Sequence, residues 1–272
     1  MVEHRTENPG VGGSSPPLPI FICDRLGRYA VALIVIPARL ASTRLPKKVL
    51  LKESGKFLVQ HTWERAWQAR CAERVIIATD SEDVFDAARS FNADVMMTDP
   101  AHTCGTERVA EVARKFPQFQ TIINLQADEP EVEPELLDTI AEEVEKGEDI
   151  VTAAAAVVDP AVLTDPATVK VVCDKNSYAL YFSRSEIPYE RHYYEETVFL
   201  CHIGIYGFRR DALLRFVELE RGKLERVEGL EQLRALENGM RIKVVRAPHY
   251  RRSIDTEEDY RAFLRRLREG GN

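Results

Sequence analysis

The sequence predicts an α/β fold in which a mainly parallel central sheet is covered by helices on both faces. Three observations predict it. Short continuous apolar runs rich in β-branched residues, such as residues 31–36 (VALIVI) and 74–79 (RVIIAT), read as strands buried on both sides. Between them lie stretches of ten or so residues whose apolar positions recur at helical spacing. Strand and helix alternate through the first half of the chain, the pattern of strand–helix–strand units wound into one sheet.

Taken in order, the run at 31–36 is too short for a typical helix and reads as a central strand. Val59, Trp63, Ala66 and Trp67 form one stripe of an amphipathic helix, and 74–79 is the second buried strand. Val84, Ala87, Ala88 and Phe91 make the next helical stripe, followed by a short strand at 94–97. A helix over 107–115, a strand at 121–125 (TIINL) and a helix over 135–146 complete the first half. The second half carries strands near 169–173, 179–182 and 203–208 and helices near 211–218 and 228–237. A strand at 242–246 and a terminal helix after Asp255 end the chain. With no internal repeat and no clear linker, residues 31–272 are expected to form a single domain. Residues 1–30 differ in kind. Residues 8–19 are mostly Gly, Pro and Ser without periodicity, the composition of a disordered segment. The run at 7–17 resembles peptides produced when an upstream transfer-RNA gene is translated by mistake. Residues 1–30 are therefore expected to be a disordered or mis-annotated extension, with the true start near Val31, read from a non-standard start codon.

Composition narrows the function classes. Of 272 residues 44% are apolar and 30% charged, the balance of an ordinary soluble globular chain. A formal net charge of −7 excludes a general nucleic-acid binder, because no excess of positive charge offsets phosphate repulsion. Cys23, Cys71, Cys104, Cys173 and Cys201 are odd in number and scattered, with no C-x-x-C pair. They indicate neither a disulfide framework nor a zinc site and suit a reducing cytosol. No apolar run reaches the roughly 18–20 residues that span a bilayer. The N-terminal apolar segment at 18–23 is too short for a signal peptide and runs into Asp24-Arg25. The expected location is cytoplasmic, with neither membrane nor nucleic acid as partner.

Ligands of parallel sheets bind beyond the carboxyl ends of the strands, and three polar loops are expected there: 37–48, 80–83 and 126–130. The loop 37–48 (PARLASTRLPKK) sets Arg39, Arg44, Lys47 and Lys48 beside the hydroxyls of Ser42 and Thr43, with small residues at Ala38 and Ala41. Fixed charge, forked guanidinium donors and hydroxyls are what a polyphosphate needs; alone, the loop is equally a solvated basic turn. No G-x-x-x-x-G-K-[ST] or G-x-G-x-x-G pattern occurs, which argues against kinase, ATPase and dehydrogenase readings. In 124–130 (NLQADEP), Asp128 and Glu129 follow a buried strand, where a carboxylate suits Mg²⁺ or simply forms a turn. Asp255 in 253–259 (SIDTEED) reads alone as a helix cap. The segment 102–108 (HTCGTER) could open a helix or read a base edge. In 182–189 (FSRSEIPY), 202–208 (HIGIYGF) and 230–234 (LEQLR), Arg184 and His202 are candidate ligands for an acidic substrate. Alone, His202 reads as a core histidine, and Glu231 and Gln232 as a solvated helix face.

Together these blocks, in this order from about Val31 to the terminal helix, resemble the 3-deoxy-manno-octulosonate cytidylyltransferase family. The resembling blocks are PAR-x-AST-R-LP-x-K, T-D-x-E-D-V, GTER, Q-x-DEP, ALYFSR-x-IP, H-x-GIYG, LEQLR and DT-x-ED. The resemblance implies a Rossmann-like three-layer nucleotidyltransferase fold and a Mg²⁺-dependent transfer of CMP from CTP to 3-deoxy-D-manno-octulosonate (Kdo). The products would be pyrophosphate and CMP-Kdo for lipopolysaccharide assembly. Neighbouring readings are a cytidylyltransferase for another acidic sugar (8-amino-Kdo or a nonulosonate) and a non-catalytic sugar-nucleotide sensor. By motif, Arg39, Ser42, Arg44 and Lys48 would hold the triphosphate, and Gly105, Thr106, Arg108 and Gln126 would surround the cytidine. Asp128 and Asp255 would hold Mg²⁺ and, with Arg39 and Lys48, form the catalytic group. Arg184, His202, Tyr206, Glu231 and Gln232 would hold the sugar. The family also implies a homodimer. The chain departs from the family's glycine at Ala127 and Lys47 and from its serine at Cys104, and replaces a glycine-rich approach to Asp255 with residues 249–254 (HYRRSI).

Overall fold

The computed structural model describes residues 30–42, 44–192 and 199–270; the expected N-terminal extension, Ala30 excepted, and Thr43 lie outside them. Among the described residues there are nine strands: β1 Ala32–Ala38, β2 Ala72–Thr79, β3 Asp94–Met97, β4 Thr121–Asn124, β5 Ile150–Val157, β6 Lys170–Cys173, β7 Ala179–Ser183, β8 Phe199–Arg209 and β9 Ile242–Ala247. All belong to one sheet, whose main path runs β3-β2-β1-β4-β8-β5-β9. Neighbours are parallel except across β8, which runs against both β4 and β5. The hairpin β6–β7 branches from the far end of β8.

Both sheet faces are apolar, and the central strand shows why. Ile34 and Ile36 point into one core and Leu33 and Val35 into the other, all fully buried. The first core is closed by α1 (Leu58–Ala66), α2 (Glu82–Ser90) and α4 (Pro134–Glu145), the second by α3 (Gly105–Lys115), α6 (Arg210–Glu218) and α8 (Gln232–Glu237). The result is three layers. A third cluster seats α9 (Glu257–Glu269) through Tyr260, Phe263 and Leu264 against Leu45 and Leu58. No helix of the described residues is long and apolar enough to cross a membrane.

The structure departs from the expected elements at four places. Strand β5 was not expected, because its IVTAAAAV sequence is dominated by alanine, a residue depleted in strands. It forms because β8 and β9 pair with it on either side and its alanines fill both cores without crowding. Strand β8 extends well beyond 203–208, and a short α5 (Pro160–Thr164) precedes β6. The helix expected over 228–237 is two helices, α7 (Lys223–Glu228) and α8, divided where Gly229 takes a left-handed conformation (φ 64°) and Leu230 turns into the core.

Along β8, Ile203, Ile205 and Gly207 face α4, while His202, Gly204, Tyr206 and Phe208 face the other side. β4 pairs only with residues 206–209 of β8, and β6 only with 200–201. The strip between them is uncovered by any strand on that edge, and a cavity opens there. On the α4 face the packing is tight: a Cβ at Gly207 would lie 2.4 Å from Cγ2 of Ile140 and 3.0 Å from Cγ2 of Val144. Both neighbours are β-branched and stiff. Gly207→Ala should therefore cost about 1–3 kcal/mol, the scale of an overpacked core, read as a fall in Tm of several degrees. An unchanged Tm would mean that α4 moves aside freely.

Candidate active site

The loop after β1 and the loop after β4 lie side by side because their strands are neighbours, and the segment before α9 closes over them. Lys48, at the start of a short 3₁₀ turn (Lys48–Leu50), joins all three. Its Nζ donates to Asp128 Oδ2 (2.5 Å), Asp255 Oδ1 (2.8 Å) and the carbonyl of Ile254 (3.0 Å). Burial alone would lower its pKa, but the two carboxylates outweigh burial and raise it, so the ammonium is held charged. The Ile254 N–H donates to the Asp128 carbonyl (3.0 Å), tying the two aspartates' backbones together. Arg44 donates to the other oxygen of Asp255 (2.9 Å). The α9 cap is Thr256, in a capping box with Asp259. Asp255 is thereby released from the capping role that its position suggested.

Arg39 is anchored through its terminal nitrogens to the carbonyls of His102 (3.0 Å) and Thr103 (3.1 Å). Its buried Nε has no hydrogen-bond partner among the described residues. With Ser42, these groups line a cavity of about 360 Å³ in which three cations face two carboxylates. The surplus of positive charge suits a polyanion. Glu129, next in sequence, is buried, and burial together with Asp128 and Asp255 pushes its carboxyl well above the usual range.

A second cavity of about 360 Å³ adjoins the first and shares Gly105 and Gln126 with it. A polar chain runs along its wall. Gln126 donates to Asn124 (2.8 Å), Asn124 to Thr106 (3.2 Å) and Thr106 to Glu231 (2.9 Å). Cys104 Sγ donates to the other oxygen of Glu231 (2.7 Å). Burial, then the Glu231 charge, pushes the Cys104 thiol up to about 12, which removes it as a nucleophile. Burial raises Glu231 despite these donors. Behind it, Arg234 makes a two-pronged pair with Glu225 (2.7 and 2.8 Å).

On the far wall, Arg184 donates to the carbonyls of Glu228 (2.8 Å) and Pro166 (2.9 Å), which orient the guanidinium, and, against the effect of burial, its charge helps to lower the pKa of the Glu228 carboxyl. His202 bonds Thr152 Oγ1 through Nε2 (2.8 Å) and packs between Phe182 and Tyr206, with ring centroids at 5.1 and 5.4 Å. Burial pulls its pKa down to about 3, so the ring is neutral. Burial, then Glu231, raises that of Tyr206. Gln232, the buried first residue of α8, completes this wall.

The structure thus brings together Arg39, Ser42, Arg44, Lys48, Asp128 and Asp255 in one cavity and Thr106, Arg184, His202, Tyr206, Glu231 and Gln232 in the other, with Gly105 and Gln126 between. Arg108 stands apart. It is fully buried, pairs with Asp80 (2.6 Å) and Thr98, and lines neither cavity. The expectation that it surrounds a base is corrected to a structural pairing of α3 with the loop after β2. Lys47 takes a left-handed conformation (φ 54°), the geometry that glycine adopts without strain. Ala127 is buried in the first core while its carbonyl accepts from Thr62 (3.0 Å). Asn124 and Thr152 were missed by sequence reasoning. Asn124 stood inside a quoted motif, and its polar side chain at a buried strand end was the available signal; Thr152 lay in the unexpected β5.

The donor set fits a hard divalent cation. Two carboxylate oxygens already converge on one positive charge, the Lys48 ammonium, and no sulfur or imidazole competes. Among the described residues no group of three or more His, Cys, Asp or Glu side chains gathers to hold a metal. An ion here would therefore need ligands from elsewhere, such as phosphate oxygens.

Comparison with known proteins agrees with this geometry. A family described as Cytidylyltransferase matches residues 33–242. The 3-deoxy-manno-octulosonate cytidylyltransferase of Chlorobaculum tepidum is 43% identical over 244 residues, covering 88% of this chain and 98% of that protein. The protein of the same name from Solibacter usitatus is 45% identical over 227 residues, covering 83% and 90%. Among solved structures, CMP:2-keto-3-deoxy-manno-octonic acid synthetase complexed with CTP superimposes with a TM-score of 0.83 at 37% identity, over 88% of this chain and 99% of that one. With likeness of this extent over most of the chain, it belongs to the 3-deoxy-manno-octulosonate cytidylyltransferase family.

Proposed function

We propose that this chain transfers CMP from CTP to the anomeric oxygen of Kdo and releases pyrophosphate. One observation carries the reading: a cation-rich cavity with two convergent carboxylates abuts a second cavity holding a guanidinium, a neutral imidazole and a buried glutamate, with Gly105 and Gln126 at the join. A triphosphate in the first would place its α-phosphorus near that join, within reach of a sugar hydroxyl in the second.

Arg39, Ser42, Arg44 and Lys48 hold the triphosphate. Their work is positioning and charge compensation, which is most of what phosphoryl-transfer catalysis requires. The anomeric oxygen attacks the α-phosphorus in line, forming the new O–P bond as the bond to the pyrophosphate oxygen breaks. The charge collecting on pyrophosphate falls beside Arg39 and Arg44. Asp128 and Asp255 would hold Mg²⁺, which when bound supplies Lewis-acid stabilisation of the phosphate oxygens. Gly105, Thr106 and Gln126 bound the cytidine, and Arg184 takes the sugar carboxylate. His202, Tyr206, Glu231 and Gln232 take its hydroxyls. Glu231 is pre-oriented by Cys104 and Thr106. The finer readings, a homodimer in the cytoplasm, rest on the family resemblance and on the chain's charge and cysteine pattern.

Purified protein with Mg²⁺, each of the four nucleoside triphosphates and a panel of acidic sugars should release pyrophosphate only with CTP and Kdo. Asp128→Asn should lower kcat by orders of magnitude in a protein that stays folded, with a lower Tm from the weakened pairing of Lys48. Turnover with 8-amino-Kdo or a nonulosonate instead would reassign the sugar, and none at all would leave a sensor.

Because the Lys48 ammonium occupies the point where both carboxylates converge, it competes with a divalent cation there. Lys48→Met should bind Mn²⁺ several-fold more tightly than the parent in the absence of nucleotide, by electron paramagnetic resonance titration. Equal or weaker binding would remove Asp128 and Asp255 as a cation pair.

With its pKa near 3, His202 stays neutral over the range in which an ordinary imidazole titrates, around 6.5. His202 should therefore contribute no limb to the pH profile of the sugar KM at saturating CTP between about pH 5.5 and 8. A limb near 6.5 that disappears in His202→Gln would contradict the buried, neutral state.

A further inference from the structure

We infer that Thr152 is a positioning residue for the sugar cavity: its hydroxyl fixes His202 as the Nε2–H tautomer, so that Nδ1 is presented as an acceptor for a sugar hydroxyl. The inference rests on the reading that this cavity holds the acidic sugar.

The argument starts from the sheet. β5 and β8 are paired throughout, but the register jumps between Thr152, opposite Tyr206, and Ala153, opposite Ile203. Gly204 and Ile205 are extra residues on β8, a bulge of the kind that re-aims side chains beside functional sites. His202 and Tyr206, four residues apart, therefore lie opposite Ala154 and Thr152, only two apart, and both rings converge on Thr152. This threonine is fully buried.

Hydrogen-bond bookkeeping then fixes the proton. A threonine hydroxyl has one hydrogen to give and two lone pairs. The Ile205 carbonyl, 2.7 Å from Thr152 Oγ1, can only accept, so the hydroxyl proton points there. The Ile203 carbonyl, 3.4 Å away, is likewise only an acceptor. Toward His202 Nε2, at 2.8 Å, Thr152 has only a lone pair left to offer, so Nε2 must carry a hydrogen. With the ring neutral, the hydrogen is absent from Nδ1. The imidazole is clamped by Phe182 on one side and Tyr206 on the other, so a ring flip that exchanged the two nitrogens would have to repack both. The cavity lined by His202 and Arg184 thus receives a fixed acceptor from the imidazole beside the guanidinium's donors.

The test separates this from a bland packing role. The chain has six histidines; nitrogen-15 histidine labelling, with His202→Gln to identify the signal, reads the tautomer directly from long-range proton–nitrogen spectra of the intact protein. The expected result is a protonated Nε2 and a bare Nδ1. In Thr152→Val, which keeps the shape, the Nδ1–H form should appear and KM for the sugar should rise about ten-fold, the scale of one lost hydrogen bond, with KM for CTP unmoved. Thr152→Ser should restore both tautomer and KM. A protonated Nδ1 in the parent overturns the inference, as does a tautomer or sugar KM unchanged in Thr152→Val. Should His202→Gln itself leave sugar KM unmoved, the cavity's assignment to the sugar fails instead, a separate result from the tautomer.

Discussion

Lys48 holds a charge on a largely buried side chain, and the site is organised around how that charge is satisfied. A buried ammonium costs several kcal/mol unless paired. Here it is met by a carboxylate from the loop after β4 and by a carboxylate and a carbonyl from the segment before α9, at positions 80 and more than 200 residues away. The same three contacts fix the spacing of Asp128 and Asp255 before any ligand arrives, which spares like charges from facing each other alone. On the proposed function, a divalent cation would take over the carboxylates and leave the ammonium free for phosphate oxygens.

The second cavity depends on a different constraint, the reversed strand β8. A wholly parallel sheet would leave ligand sites only beyond its carboxyl edge. β8 runs against its neighbours and is handed from β4 to β6 partway along, leaving a strip of its inner face uncovered. His202, Gly204 and Tyr206 look out through that gap. The break between α7 and α8 at Gly229 brings Glu231 and Gln232 into the lining of the same cavity. In the proposed assignment the antiparallel additions serve the acidic sugar and the parallel core the nucleotide, with the join at Gly105 and Gln126.

The parallel core was legible because its strands are buried on both faces, and such strands write themselves as unbroken apolar runs, as at 31–36 and 74–79. β5 was not legible. Its alanines carry little strand propensity, and only its two partners make it a strand. Most site residues were legible as motif blocks, but their alliances were not, since Lys48 with Asp255 or Cys104 with Glu231 are contacts between remote segments. Arg108 misled for a physical reason: a motif arginine at the start of a helix can turn toward a ligand or back toward a loop carboxylate, and Asp80 decided the matter. The continuous pattern over 228–237 hid the one glycine whose left-handed backbone splits the helix.

The departures from the family pattern fall where the structure absorbs them. Lys47 accepts a left-handed backbone at a cost of about 1–2 kcal/mol, and its side chain reaches only Asp83, in an exposed pair of little worth. Cys104 keeps the donor role toward Glu231 that a serine hydroxyl would fill. That substitution also bears on selectivity. A thiol is a weaker donor than a hydroxyl, so Glu231 is left more basic and more available to a hydroxyl or ammonium on the ligand. Against Arg184, whose charge demands a carboxylate, Glu231 sets a dipolar field across the cavity. A neutral sugar would leave the guanidinium without its anion, and discrimination by buried polar groups left unmatched is far steeper than discrimination by shape. With the cavity assigned to the sugar as proposed, it would select first for an acid and only then for the arrangement of its hydroxyls.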